Sequence, residues 1–389
     1  GEVASKISDF RALAEDVLRG KKAKLKEDQQ AQIDLRVAML KEYLARRQTA
    51  ASTTDQERKK HIVAGQTAMI EFLDKYEDND DFKRAFIDFF GNRLLYSTDM
   101  SKLSSVQLYI AASGAAAEDE PEKRRDMLEM LLSRKDDPAV KKLAPEAYWQ
   151  LAMTMNQLTR SLDAADNFML AFKAFGPDHP KAPTAAKNAS LCMDKYVTWY
   201  ETAQKRSAPR EARLKFITAI QAALKYETKN PELKLSEWYY TLGRQCRQLA
   251  QESNAKEATA WMKRAADAFA KVPADPPAKY LSAQDLWLDL RYRALGQGEL
   301  DAAGKAEARK LRADYATFIK TLEKHIATLT DPAEVRSFNN VAAWCDFTRV
   351  KLLGDQLNQS EEALTEVVAV MKKWPAVEDM MTQAIQWKI

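Results

Sequence analysis

At 389 residues the chain is longer than one compact core usually holds, which predicts two domains or an elongated array. Hydrophobic residues make up 46% of it and charged residues 30%, a composition that excludes a wholly disordered chain. With 11 Gly and 13 Pro, turn residues are too sparse for a many-stranded β-sandwich or barrel, so we expect an all-α protein.

The charge pattern argues against a nucleic-acid partner. The net charge is +4, and residues 1–60 carry the whole excess, part of it in the sequence RGKKAKLK at 19–26. The rest of the chain is neutral, whereas nucleic-acid binding calls for a basic stripe that continues across the fold. A solvated helix end is therefore favoured over an anionic partner at 19–26. No apolar run approaches the length of a membrane span.

Helix-start patterns recur from the N-terminus onward, so we expect residues 1–144 to form an N-terminal helical region, either further helical pairs or a separate helical bundle. Capping-box spacing, in which two side chains satisfy free backbone N–H groups, occurs at Thr54-x-x-Glu57, Ser104-x-x-Gln107 and Asp331-x-x-Glu334. Proline, whose fixed φ suits a first helical turn, is expected to precede helices at Pro121, Pro145, Pro209 and Pro332.

A different organisation is predicted for residues 145–375. All eight tryptophans lie there or beyond, and we expect them to contribute mainly to a core. A small–large–small or related apolar spacing marks the second helix of five predicted pairs, at Ala164/Phe168/Ala171, Ala212/Phe216/Ala219, Ala258/Met262/Ala265, Leu311/Tyr315/Phe318 and Ala363/Val367/Val370. Because one hairpin cannot bury its apolar face alone, such pairs stack into an array. We expect residues 376–389 to form a C-terminal capping helix.

Two of these pairs resemble a known repeat family. Residues 145–178 are similar to a tetratricopeptide repeat (TPR) through Tyr148, Leu151, Ala152, Met155, Ala164, Phe168 and Ala171. Residues 236–270 resemble it again through Tyr239, Leu242, Gly243, Ala258, Met262 and Ala265. The resemblance implies a TPR-like α-α superhelix of helical hairpins.

The same resemblance implies a concave groove, lined by the first helix of each pair, that binds a peptide or a neighbouring subunit. It places six candidate binding residues there: Trp149, Met153, Asn156, Tyr240, Arg244 and Arg247. Trp149 and Met153 occupy the places of the Lys and Asn with which some members clamp a terminal carboxylate, so that clamp is not expected. Arg244 and Arg247 remain candidates for binding a carboxylate or phosphate, with a solvated or Glu-paired helix face as the alternative.

The sequence offers no convergent catalytic groups. His61, His179 and His325 each stand alone, and the three cysteines, Cys192, Cys246 and Cys345, are too far apart in sequence for a zinc site and suit a core. We therefore expect a non-enzymatic protein–protein interaction scaffold with no metal and no cofactor. The alternative is a cell-envelope binding protein for a small ligand or polymer, such as a carbohydrate or lipid. The start at Gly1 favours a processed, exported bacterial protein, with a cytoplasmic location as the alternative.

Overall fold

The computed structural model describes residues 2–19, 26–76, 100–117, 119–227, 234–275, 277–296 and 298–388. Every regular element in these residues is helical, and none of them lies in a strand. The prediction of an all-α protein is confirmed. The chain divides into two compact units, residues 1–208 (unit 1) and 209–389 (unit 2).

Unit 1 contains eight α-helices in its described residues, together with a 3-10 turn at Met100–Lys102. The α-helices are α1 (Glu2–Arg19), α2 (Glu27–Ala51), α3 (Asp55–Lys75), α4 (Ser105–Ala117), α5 (Pro121–Ser133), α6 (Pro138–Gln157), α7 (Ser161–Phe175) and α8 (Ala182–Thr202).

Unit 2 also contains eight α-helices in its described residues, and a π-helical segment, Leu352–Gln356, follows the sixth of them. The α-helices are α9 (Arg210–Leu224), α10 (Leu235–Gln251), α11 (Ala255–Phe269), α12 (Pro277–Ala294), α13 (Ala302–Ile326), α14 (Pro332–Lys351), α15 (Ser360–Lys373) and α16 (Glu378–Lys388).

The predicted helix starts are mostly confirmed. The hydroxyl of Thr54 accepts a hydrogen bond from the Glu57 N–H at the start of α3, and Ser104 and Gln107 form both bonds of a capping box at α4. At α14 the carboxylate of Asp331 accepts from the N–H of Ala333. At each of these helix starts, a side chain accepts a hydrogen bond from a backbone N–H that has no partner within the helix.

The expectation at Pro145 is wrong, because this proline lies inside α6. The helix begins earlier, at Pro138, where the Asp137 carboxylate accepts a hydrogen bond from the Ala139 N–H and caps the first turn. The domain boundary expected at 144/145 consequently falls within one continuous helix, whereas the two compact units meet at 208/209. That point lies between α8 and α9, the two helices of the second predicted pair.

The apolar spacing of the second helices matches the observed cores. In α7, α9, α13 and α15 every residue of the pattern is buried, which confirms these positions as core. In α11 only Ala265 is buried, while Ala258 and Met262 are half-buried. All three cysteines are buried, as expected.

The tryptophans differ from the expectation of a core role. Seven of them are half-buried, and Trp199 is 48% exposed. The indole N–H explains part of this, since Trp374 donates to Asp346 and Trp387 donates to Asp355. A side chain with a large apolar body and one polar edge suits the rim of a core. Residues 20–25 of the basic sequence at 19–26 lie outside the described residues.

Candidate functional site

The face of α10 that carries Tyr240, Arg244 and Arg247 is the better developed of the two predicted binding surfaces. These residues follow one another at helical spacing, whereas the opposite side of the helix buries Leu242, Gly243, Cys246, Leu249 and Ala250. The apolar side fixes the rotation of α10 against the core of unit 2. It therefore holds the three candidate side chains on the outer side of the helix.

The close packing of α10 on α11 sets the position of Tyr240. A Cβ atom at Gly243 would lie 2.5 Å from the Phe269 ring, so only glycine lets the ring sit against the backbone here. Tyr240 packs on the same Phe269 ring, with 5.9 Å between ring centroids. Tyr240 is half-buried, and its contact with Phe269 restricts the position of its ring.

The next first helix, α12, lies against α10 and supplies the other charges of the surface. The Lys279 ammonium lies 4.7 Å from the centroid of the Tyr240 ring, within cation–π range, and 3.1 Å from the Glu237 carboxylate. Together, Glu237, Tyr240, Arg244 and Arg247 of α10 with Lys279, Asp289 and Arg293 of α12 form what we call the unit 2 first-helix face.

The two arginines of α10 differ in their surroundings. The guanidinium of Arg247 lies 3.7 Å from the Asp289 carboxylate, beyond hydrogen-bond distance. Asp289 instead accepts from Nε of Arg293, at 3.0 Å and 2.9 Å for its two oxygens. Arg244 is exposed and has neither a hydrogen bond nor an ion pair among the described residues. The face thus presents one loosely paired and one unpaired guanidinium.

The buried edge of this face contains an acid and a thiol. Burial raises the pKa of the Asp285 carboxyl; the hydrogen bond from the Cys345 thiol, at 3.4 Å, and the charge of Arg247 oppose that shift. Burial also raises the pKa of the Cys345 thiol well above its usual value, with the Asp285 charge adding to the effect. A thiol with a raised pKa is a weak nucleophile near neutral pH, so this pair suits packing between α12 and α14 and not catalysis.

The three candidates on α6, in unit 1, have separate environments. Trp149 is half-buried and packs edge-on against Phe168, with 5.3 Å between ring centroids. The Asn156 side-chain oxygen accepts hydrogen bonds from Nζ of Lys195 at 3.3 Å and from the Cys192 thiol at 3.7 Å. Met153 is 39% exposed. Two of the three predicted residues therefore make contacts within unit 1, and Met153 is the accessible one.

Sequence reasoning did not single out Lys279, Asp289 or Arg293. The sequence does contain one signal, because an acid four residues before an arginine on a helix forms a common ion pair, and Asp289 and Arg293 have that spacing. It contains no signal for the contacts between helices. Only the packing of α12 beside α10 brings Lys279 to Tyr240 and Asp289 to Arg247.

No protein-family model matches the chain, and a search of curated proteins finds no similar sequence. Within the part of the chain that the structure describes, no group of three or more His, Cys, Asp or Glu side chains is arranged to hold a metal ion. No helix in that part is both long enough and apolar enough to cross a membrane.

Proposed function

We propose that this chain is a non-catalytic interaction scaffold, built as a TPR-like α-α superhelix of helical hairpins, that binds a peptide or protein segment on the first-helix face of unit 2. The observation that carries the proposal is the joining of successive first helices by side-chain pairs. Glu237 with Lys279 and Arg247 with Asp289 link α10 to α12. These links support a continuous, ordered surface on which an extended segment can lie.

The side chains of this face suit recognition. Rigid aromatic and arginine side chains supply most of the energy at protein interfaces, and the face contains Tyr240, Arg244 and Arg247 within two turns of one helix. Tyr240 is already ordered by Phe269, so binding costs little of its side-chain entropy. Arg244 has no internal partner among the described residues to give up.

Site-specific photo-crosslinking tests the proposal. A photoreactive residue placed at exposed Gln251, on the same side of α10 as Arg244 and Arg247, should capture a polypeptide from an extract of the source organism. The matched control is the same residue at exposed Lys263 on α11, away from the face. Capture at position 251 and not at 263 supports the proposal. Identical products from both positions, or none from 251, contradict it.

One observation favours the second candidate, a binding protein for a carbohydrate or similar polymer. Trp199 of α8 is 48% exposed and is held edge-on against Tyr200, with ring centroids 5.1 Å apart. An exposed indole fixed by a neighbouring ring offers a flat apolar surface on which a sugar ring can stack. If the protein binds a polysaccharide in a retardation gel, Trp199→Ala should abolish the retardation, whereas Leu191→Ala, at another exposed apolar position of α8, should not.

A further inference from the structure

The first-helix face of unit 2 has an unbalanced charge. It carries four cationic side chains, on Arg244, Arg247, Lys279 and Arg293, and two carboxylates, on Glu237 and Asp289, with Asp285 as a third acid at its buried edge. Glu237 is paired with Lys279, so the imbalance concentrates on Arg244 and on the two arginines that lie near Asp289, Arg247 and Arg293. A partner that complements this surface must bring negative charge.

Asp289 contacts Arg293 more closely than it contacts Arg247. Arg293 Nε contacts both oxygens of the carboxylate, whereas the nearest nitrogen of Arg247 stays at 3.7 Å. Among the described residues Arg247 makes no hydrogen bond, and neither does Arg244. Two guanidinium groups, each with a fork of N–H donors suited to a carboxylate, are thus available one helical turn apart.

The spacing of the two arginines defines the segment that fits. Residues three apart on a helix have Cβ atoms roughly 5–6 Å apart. In an extended peptide, with a rise of about 3.3 Å per residue, alternate side chains lie roughly 7 Å apart on the same side. Two acidic residues separated by one residue therefore match Arg244 and Arg247, while two adjacent acids point to opposite sides.

We propose that the segment bound on this face is extended and acidic, with two carboxylates in alternate positions that bind Arg244 and Arg247, and that Asp289 is an internal counter-charge that competes with it for Arg247. This rests on the proposed function and adds the chemistry of the partner. Because Asp289 competes for Arg247, a segment with a single carboxylate gains little affinity from that arginine. A segment with two carboxylates also forms a full ion pair with Arg244. Selectivity for doubly acidic segments follows.

The test measures binding of short fluorescent peptides to the full chain by anisotropy at low salt. The probe has a Glu-Ser-Glu core in a Gly/Ser background, and its controls have Gln-Ser-Gln and Glu-Glu-Ser cores. The Glu-Ser-Glu peptide should bind tightest, and Arg244→Gln should weaken it by about tenfold, the effect of one charge-assisted hydrogen bond. Lys263→Gln, an exposed cation on α11, makes the same change of net charge and should leave affinity unchanged.

The Asp289→Asn variant distinguishes competition for Arg247 from a nonspecific effect of net charge on peptide affinity. It should tighten binding of the Glu-Ser-Glu peptide several-fold, while Asp267→Asn, which removes an exposed acid from α11, should not. Equal binding of the Glu and Gln peptides, or equal effects of Asp289→Asn and Asp267→Asn, would overturn the inference. A partner that crosslinks at position 251 and is insensitive to Arg244→Gln refutes the acidic segment and leaves the scaffold proposal standing. Absence of any crosslinked product from position 251 in the otherwise wild-type chain refutes the scaffold proposal.

Discussion

The last three helices of unit 1 and the helices α13–α15 of unit 2 follow the same apolar pattern but are held together by different means. The contacts between α6, α7 and α8 include many alanines with no exposed surface, among them Ala152, Ala164, Ala171, Ala185 and Ala189, beside the polar contacts of Asn156 with Cys192 and Lys195. Small side chains let helix backbones approach closely and leave little room for change. The alanine contacts in this part of unit 1 therefore depend on the size of the side chains.

The helices α13, α14 and α15 are joined by a network of charges. Asp346, 4% exposed, accepts hydrogen bonds from Arg349, Lys373 and the indole N–H of Trp374. Arg349 also contacts Glu366, and Glu366 in turn contacts Arg312 of α13. The network connects all three helices of this part of unit 2.

A shared apolar pattern thus determines which residues enter a core and leaves open how neighbouring helices are joined. In the alanine-rich contacts the free energy of unfolding should respond to added volume. In the charged contacts it should respond to the loss of a partner, because a buried ion whose partner is removed has lost its solvation without compensation. Substitutions at Asp346 and Ala171 separate these two responses.

The largest expected effect is at the centre of the charge network. Asp346→Ala removes the carboxylate that three donors share, and we expect the free energy of unfolding to fall by about 3 kcal/mol. Urea unfolding followed by far-ultraviolet circular dichroism measures it. The control is Glu362→Ala, since Glu362 lies 3.8 Å from Arg312 and is half exposed, and its loss should cost less than about 1 kcal/mol. Equal losses of unfolding free energy in the two variants would mean that the burial of Asp346 does not increase its contribution to stability.

A smaller effect is expected at the alanine contacts. Ala171→Leu adds volume at a position of α7 with no exposed surface, and we expect a loss of about 2 kcal/mol through overpacking. Ala174→Leu makes the same change at an exposed position of the same helix and should stay within about 0.5 kcal/mol of the wild type. Thermal melts of both variants measure this difference. Similar melting temperatures would show that the contact at Ala171 tolerates a larger side chain.

The smallest effects concern two acids, the buried Asp34 of unit 1 and the half-buried Asp285 of unit 2, whose pKa values shift in opposite directions. Burial tends to raise the pKa of Asp34, but hydrogen bonds from Lys75 and Tyr76 and the charges of Lys75 and Arg11 hold it below its ordinary value of 3.8. Burial raises the pKa of Asp285 above the same value. A lowered folded-state pKa stabilises the protein above the unfolded pKa, whereas a raised one destabilises it there.

Asn substitutions at these positions should therefore have opposite signs. Asp34→Asn should be less stable than the wild type at neutral pH, and its deficit should shrink as pH falls through the lowered pKa of Asp34. Asp285→Asn should be more stable at neutral pH, and its advantage should fade as pH falls toward 3.8. Unfolding free energies measured across the acidic range give both curves, and curves of the same sign would contradict the assignment at one of the two acids.

Local patterns were enough to predict the helical class, most helix starts and the buried positions of the second helices. They failed at Pro145, because the Asp137 cap eight residues upstream outweighs the preference of proline for a first turn. They were only partly right for the tryptophans, since the indole N–H binds carboxylates such as Asp346 at the edge of the core. The apolar periodicity of the sequence predicts which residues are buried, but it does not predict such polar contacts.

For the candidate face, the sequence indicated Tyr240, Arg244 and Arg247 and gave no sign of their neighbours. The contact between Arg247 and Asp289 joins residues 42 positions apart, and its distance depends on how α12 packs on α10. The internal counter-charge could not be predicted before that packing was known. The interpretation of Arg244 and Arg247 as a binding pair stays a prediction.

The most direct test of partner binding at Arg244 and Arg247 is quantitative affinity capture from the source organism, with the purified chain compared with Arg244→Glu/Arg247→Glu. The matched control is Lys256→Glu/Lys263→Glu, which makes the same charge change at exposed positions of α11. We expect a partner that is retained by the wild type and the control and lost from the Arg244/Arg247 variant, with circular dichroism unchanged in all three. A partner retained equally by all three proteins would contradict this expectation.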